Sequence, residues 1–236
     1  MGAGVQTTAI AIKYGKLYDF VIFSDTRNED PATYEYIEKY LKPHFKEIGT
    51  EWVTVGKSDG SSVLDGAARY KWASFYFSKR ECTNRYKVKP LNEYILKRCK
   101  PTPENKVIKD IGFSIDEARR LNTARFEEPW ETMNFPLIND HISRQGCYDI
   151  IKDFGWPAPP KSGCVFCPVA GRKVVMNCKK NFPKEFERLM YIEEHSRGYP
   201  RVHIMRSNKP LRNIADQSFL DDYAEDGTCD SGSCFT

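Results

Sequence analysis

Apolar positions along the first 155 residues alternate between two spacings. Ala9, Ile10 and Ile12 predict a helix over Val5–Tyr14, opening directly after a small-residue loop and stopping at Gly15. Tyr18–Ser24 is a short apolar run rich in β-formers and predicts a buried strand. Asp30 and Pro31 supply an N-cap and a first-turn proline for a helix carrying Tyr34, Ile37 and Leu41. Glu51–Val55 predicts a second strand and Val63–Phe77 a helix. Pro90–Cys99 reads as a helix and Lys106–Gly112 as a strand. Ser114 and Glu117 have the spacing of a capping box for a helix through Leu121. Met133–Ile138 reads as a short strand, and Ile142–Phe154 as a helix closed by Gly155. Strands alternating with helices imply an α/β protein, three-layer α/β/α, with a mostly parallel sheet covered on both faces.

From Trp156 the pattern changes, and prolines, glycines and cysteines crowd together. This divides the chain into a nucleotide-binding-type α/β unit over residues 1–155 and a cysteine-bearing extension over 156–236. No internal repeat or low-complexity tract interrupts either part. No apolar run approaches the ~20 residues that span a bilayer, so no membrane partner is expected. The start, Met-Gly-Ala-Gly-Val-Gln-Thr-Thr, lacks the basic and apolar regions of a secretory signal. A cytoplasmic location is therefore expected, where the eight cysteines stay reduced and metal or redox chemistry displaces disulfides. The net charge of +4 is mild. Lys and Arg cluster between Arg69 and Lys109, which reads equally as a solvated surface or as a face for nucleotide phosphates or nucleic acid.

Gly2-Ala3-Gly4-Val5-Gln6-Thr7-Thr8 runs straight into the first helix. Small residues let backbone N–H groups approach an anion, and a helix N-terminus favours negative charge. In open parallel sheets such a loop follows a first strand. Here either that strand lies elsewhere in the topology or residues that preceded Met1 are missing. Asp25 and Thr26 end the next strand, where ligands bind in parallel sheets; an Asp there also serves simply to turn the chain.

Ser162-Gly163-Cys164-Val165-Phe166-Cys167-Pro168 is a knuckle whose two thiolates can face one metal. By itself it also fits a thioredoxin-like redox pair. A site needs about four ligands, and Cys82 and Cys147 are the remaining candidates, each otherwise a small buried core residue.

With these residues in view the chain resembles the adenylylsulfate and phosphoadenylylsulfate (PAPS) reductase family. Cys82-Thr83, Tyr86-Lys87-Val88 and Pro90-Leu91 look like that family's Cys-Cys-x-x-Arg-Lys-x-x-Pro-Leu, and the knuckle looks like its later Gly-Cys-x-x-Cys. Gly2–Thr7 is similar to a modified pyrophosphate (PP) loop of the adenine nucleotide α-hydrolase superfamily, with Ala3 at a glycine position and Gln6 where an Asp is usual. Phe23–Tyr34, which carries Ser24, Asp25 and Thr26, resembles the Asp-Thr-Gly…Pro-Glu-Thr segment. Ile111-Gly112-Phe113-Ser114 with Glu117 and Arg120 resembles the next sheet-edge motif. The similarity runs to about Pro168 and is closest to PAPS reductase-like proteins of phages, mobile elements and CRISPR or DNA-modification operons.

The resemblance implies an adenine nucleotide α-hydrolase-like fold and an adenine nucleotide, ATP or PAPS/APS, held by Gly2–Thr8, Ser24, Asp25, Thr26, Gly112 and Arg120, with Mg2+ a possible companion. It makes Cys82, Cys164 and Cys167 ligands of an iron–sulfur cluster of the [4Fe–4S] kind, with zinc the alternative by geometry. Thr83 stands where the second cysteine is expected, and Cys147 is the candidate replacement. Lys87 would meet the anion. Cys229 and Cys234 stand on an acidic tail that lacks the family's Glu-Cys-Gly-Leu-His, yet either can act as a nucleophile or sulfur carrier. Three functions remain in view. One is ATP-dependent sulfur or adenylyl-group chemistry, including on nucleic acid. The second is sulfonucleotide reduction with an electron-donor protein. The third is a catalytically eroded accessory protein of a nucleoprotein complex.

Overall fold

The computed structural model describes residues 1–123, 128–205 and 207–216. Its helices and strands alternate as α1 (Val5–Tyr14), β1 (Phe20–Asp25), α2 (Pro31–Tyr36), α3 (Lys42–Ile48), β2 (Glu51–Gly56), α4 (Val63–Arg69), α5 (Ala73–Ser78), α6 (Glu81–Thr83), α7 (Lys89–Cys99), β3 (Val107–Asp110), β4 (Glu131–Asn134), α8 (Pro136–Asn139) and α9 (Arg144–Asp153). Beyond the knuckle come α10 (Arg172–Asn181), α11 (Pro183–Glu194) and α12 (Leu211–Asp216). Both strand pairs are parallel, β1 with β2 from Phe20↔Glu51 to Asp25↔Gly56 and β3 with β4 from Val107↔Glu131 to Asp110↔Asn134. Among the described residues they form two two-stranded sheets. No described helix is long and apolar enough to cross a membrane.

Prolines shape the two longest helical runs. A π turn, Ile37–Leu41, joins α2 to α3 just before Pro43, and another, Asn84–Val88, joins α6 to α7 just before Pro90. A proline inside a helix has no N–H for the carbonyl four residues back, and its ring crowds that carbonyl. Widening the preceding turn absorbs the mismatch without ending the helix. The second of these turns carries Lys87.

Three expectations change. The helix expected over Val63–Phe77 is two helices, because the intervening backbone is claimed from outside: Arg197 N–H donates to the Lys71 carbonyl at 2.7 Å, and the Ser196 hydroxyl accepts from Ala73 N–H at 2.8 Å. The strand expected over Met133–Ile138 ends at Asn134, and Pro136 opens α8, where its fixed φ suits a first turn. Ile115–Thr123 is a 3-10 helix without the predicted side-chain cap: Glu117 N–H bonds the Ser114 backbone carbonyl, and the Ser114 hydroxyl has no partner among the described residues.

The core is divided among neighbouring clusters. Phe23, Tyr36, Leu41 and Phe45 pack β1 against α2 and α3, while Val5, Ala9, Ile10, Cys147 and Ile151 pack α1 against α9. Trp156 touches both clusters, edge-on to Tyr36, His44 and Phe154, so the end of α9 is clamped to the α2–α3 helical run. A third cluster joins Val63, Leu64, Tyr76, Phe77 and Tyr86 to Phe166, Val175, Leu189 and Leu211. The described part of the extension beyond Trp156 thus carries three helices, whose apolar residues pack on α4 and α5.

The α4 N-terminus is fixed by a reciprocal cap. The Ser62 hydroxyl accepts from Asp65 N–H at 3.3 Å, and the Asp65 carboxylate accepts from Ser62 N–H at 2.7 Å. The Ser62 backbone bond, then its hydroxyl and Arg188, hold the Asp65 carboxyl down at about 2, against the cost of its partial desolvation. Its folded pKa lies below its unfolded one, so the stabilisation is present above the ordinary carboxylate range and is lost as pH falls through about 2. Ser62→Ala is expected to lower stability by about 1 kcal/mol at neutral pH, read as a lower urea midpoint at unchanged slope.

Candidate functional site

The loop after β1 gathers one group of the predicted residues. Asp25 Oδ1 accepts from Tyr34 Oη at 2.6 Å and from Arg27 N–H at 2.7 Å, so this carboxylate is engaged in shaping the turn. Burial, then the Asp25 bond, raises the Tyr34 phenol pKa, so it stays protonated as the donor. Thr26, 1% exposed, donates to Glu29 Oε1 at 3.2 Å and lies 3.4 Å from the Cys164 sulfur. Glu29 pairs in antiparallel fashion with Cys164, and Val165 N–H bonds the Asn28 carbonyl at 3.0 Å. Asn28 Oδ1 accepts from Leu64 N–H at 3.2 Å, which ties the same loop to α4. The knuckle closes on itself through Cys167 N–H to the Cys164 carbonyl at 3.1 Å.

Lys87 reaches this loop from the π turn. Its ammonium lies 3.1 Å from Glu29 Oε1, with the two side chains 13% and 2% exposed. Its carbonyl accepts from the Ser24 hydroxyl at 3.3 Å. The other Glu29 oxygen is buried without a hydrogen-bond partner among the described residues.

Cys82, Cys164 and Cys167 pack against the same apolar cluster. All three are free thiols. Burial pushes the Cys82 thiol up to about 11, with the neighbouring Cys167 adding to the rise and Lys87 opposing it. Burial raises Cys164 well above the usual thiol range, Glu29 adds to this, and Lys87 again opposes it. Three sulfurs and one cation therefore sense one another. Without a metal, Cys82 and Cys164 are protonated at neutral pH, whereas a working thioredoxin-like pair needs a lowered pKa.

Cys147 stands elsewhere. It is fully buried between α1 and α9 among Val5, Ala9, Leu137 and Ile151, and burial pushes its thiol up to about 12. It belongs to the α1–α9 cluster and not to the one that holds the knuckle cysteines. Among the described residues, no three His, Cys, Asp or Glu side chains stand in a metal-holding arrangement. The four-cysteine set is therefore not assembled. Cys82, Cys164 and Cys167 share one apolar cluster, but among the described residues they do not form a metal-holding group.

The Gly2–Thr8 loop assembles with its predicted neighbours. The Met1 nitrogen donates to the Ile22 carbonyl, so the loop departs from beside β1. Ala3 holds a left-handed φ of +53°, a conformation that costs a glycine nothing. Thr7 Oγ1 accepts from Gly4 N–H at 3.1 Å, and the buried Thr8 hydroxyl has no partner among the described residues. A Cβ on Gly112 would lie 2.9 Å from the Thr7 methyl, and one on Gly4 2.9 Å from Ser162 Oγ, so both glycines permit close approach. Gln6 donates to Glu117 at 3.1 Å, and Glu117 pairs with Arg120 at 2.8 Å, each 9% exposed. Arg120 also stacks 4.0 Å from the Phe113 ring centre. Gln6 and Thr7 thus meet Gly112 and the Glu117–Arg120 pair, more than a hundred residues on, at the α1 N-terminus, and Gly4 approaches the segment that enters the knuckle. Cys229 and Cys234 lie outside the described residues.

Glu29 escapes a reading by motif. Its signal is only that a carboxylate falls four residues after Asp25 in the same turn, and nothing in the spacing announces its burial. Tyr76 escapes likewise, because its apolar neighbours mark it as core.

No model of a known protein family matches the chain, and no curated protein matches it significantly.

The Glu29–Lys87 pair carries an expected outcome. Removing one partner leaves the other charged and buried, which costs about 3–5 kcal/mol. Lys87→Met is expected to lose stability on that scale, and the double variant with Glu29→Gln to recover much of it. Guanidinium unfolding of the wild type, both single variants and the double variant closes the cycle.

Proposed function

We propose that the chain is a PAPS reductase-like, adenine-nucleotide-binding enzyme in which Cys82, Cys164 and Cys167 hold an iron–sulfur cluster or metal beside the nucleotide. The observation that carries this reading is the linkage of the β1 loop to both halves of the site. Thr26 and Glu29 touch Cys164, while Glu29 binds Lys87 from the Cys82 segment. The finer architecture belongs to the same reading: a three-layer α/β/α fold of the adenine nucleotide α-hydrolase type, supported by parallel pairing in both sheets.

In this reading the backbone N–H groups at the start of α1 and the free Thr8 hydroxyl receive phosphate oxygens. Gly112 keeps the opposite wall clear of side chain, and Arg120, oriented by Glu117, supplies positive charge. Lys87 offsets thiolate charge, and Glu29 fixes the ammonium in place. Bound there, the cluster or metal would supply positive charge and sulfur coordination next to the reacting anion. Cys147 is left out of the ligand set, so the fourth position falls to a group other than these cysteines.

The reaction class is ATP-dependent sulfur or adenylyl-group chemistry. A substrate oxygen bonds the α-phosphorus, the bond to the bridging oxygen breaks, and pyrophosphate leaves. Gln6 offers Mg2+ no carboxylate, so the phosphates depend on the backbone nest and on Arg120. Nucleic acid as acceptor, a sulfur donor protein and a cytoplasmic setting that keeps the thiols reduced complete the proposal.

Anaerobic purification followed by iron, zinc and sulfide analysis tests the centre. Wild-type protein is expected to retain metal, Cys82→Ser, Cys164→Ser and Cys167→Ser to lose most of it, and Cys147→Ser to keep it. Metal content unaffected by the three knuckle-side substitutions would refute the ligand set. Failure of metal-loaded protein to release AMP or pyrophosphate from ATP, with each candidate acceptor supplied, would refute the reaction class.

A further inference from the structure

A polar cavity lies against Tyr76, lined from α4, α5 and the π turn before α7. It encloses about 240 Å3 and is lined by Lys57, Arg69 and Arg85, with Asp59 as its one carboxylate. Three cations face one carboxylate in the lining, and Glu81 pairs with Arg85 from outside it, which leaves an excess of one positive charge. Asp59 compensates Lys57 and Arg69 loosely. Its Oδ2 is 3.5 Å from Arg69 and 4.0 Å from Lys57, while its Oδ1 is taken by the Ser61 N–H and hydroxyl at 2.9 and 2.6 Å. Glu81 engages the Arg85 Nε at 3.1 Å, and among the described residues the two Nη groups of that guanidinium make no hydrogen bond.

The inner wall carries the second, independent observation. Tyr76 is 0% exposed and lines the cavity, and its hydroxyl has no hydrogen-bond partner among the described residues. A buried hydroxyl left unpaired is costly, so the site has a donor in want of an acceptor. Gly66 makes room for it. A Cβ there would lie 2.7 Å from Tyr76 Oη and 2.4 Å from Tyr86 Oη, so a side chain at this position would block the two hydroxyls. Tyr86 is already occupied by Ser61 at 3.1 Å, which leaves Tyr76 as the unspent donor.

We propose that this cavity binds a tetrahedral oxyanion, phosphate or sulfate, taken up free or as the end of a phosphomonoester. Lys57, Arg69 and Arg85 receive its charge, and the Tyr76 hydroxyl donates to one oxygen. The volume fits this class. It falls below the roughly 300 Å3 at which pockets begin to hold drug-sized ligands, so it takes an oxyanion with some of its water rather than a whole nucleotide. The site uses none of the Gly2–Thr8 loop and no cysteine, so it stands whether or not the proposed metal centre does.

Isothermal titration of the purified chain at constant ionic strength, with inorganic phosphate, sulfate and AMP as separate probes, tests it. Saturable binding of phosphate is expected, weakened about tenfold by Tyr76→Phe, the loss of one hydrogen bond to a charged group. Arg69→Gln is expected to weaken it at least as much, and its side chain is 61% exposed, so that variant keeps the fold even if Tyr76→Phe does not. AMP binding tighter than phosphate with the same sensitivity to both substitutions assigns a phosphomonoester end, and equal or weaker AMP binding assigns the free anion. Absence of saturable phosphate and sulfate binding, or affinities unchanged by Arg69→Gln, overturns the proposal.

Discussion

The buried contact between Lys87 and Glu29 is the constraint around which the site is arranged. An ammonium and a carboxylate taken almost wholly out of water are tolerated only in close contact with further hydrogen bonds. Here the contact is 3.1 Å, Thr26 donates to the same carboxylate oxygen, and the two side chains are 13% and 2% exposed. Neither partner can move without uncovering the other. The loop after β1 and the turn before α7 are therefore fixed to each other, and Cys82 and Cys164 follow, Cys82 from α6 just ahead of that turn and Cys164 through its bridge to Glu29.

The π turn at Asn84–Val88 is what lets Lys87 reach that position. Pro90 cannot complete an ordinary helical ladder, and the widened turn ahead of it redirects the backbone while α6 and α7 remain one helical run. The Lys87 carbonyl takes the Ser24 hydroxyl, and its ammonium takes Glu29. The same proline device at Pro43 bends α2 into α3, where the consequence is packing rather than chemistry. There Tyr36, Leu41 and Phe45 close over β1.

Tyr76 belongs to two environments at once: it packs in the cluster that holds the buried thiols, and it lines a cavity with a surplus cation. A wall of tyrosines suits such a place, because each ring fills apolar volume while its hydroxyl stays available for a polar contact. Gly66 keeps the cavity open to the Tyr76 hydroxyl, a role that no helix propensity would assign to a glycine inside α4.

What the sequence by itself determined was local: α1, β1, β2, α7 and α9 to within about two residues, and the Asp30–Pro31 helix start. These rest on apolar spacing, caps and proline chemistry, all of which act over a few residues. It also singled out Gly112, Arg120, Lys87 and the knuckle by the order of short motifs. Only the tertiary structure decided which of them meet. It brought Gln6 to Glu117 and Glu29 to Lys87, put Cys147 into the α1–α9 core, and broke the helix expected over Val63–Phe77 with bonds from Ser196 and Arg197. The physical reason is the same throughout. Whether a cysteine is a ligand or a core residue, and whether a glutamate is solvated or buried in an ion pair, depends on neighbours more than fifty residues away. Residue type and spacing carry almost no trace of such neighbours.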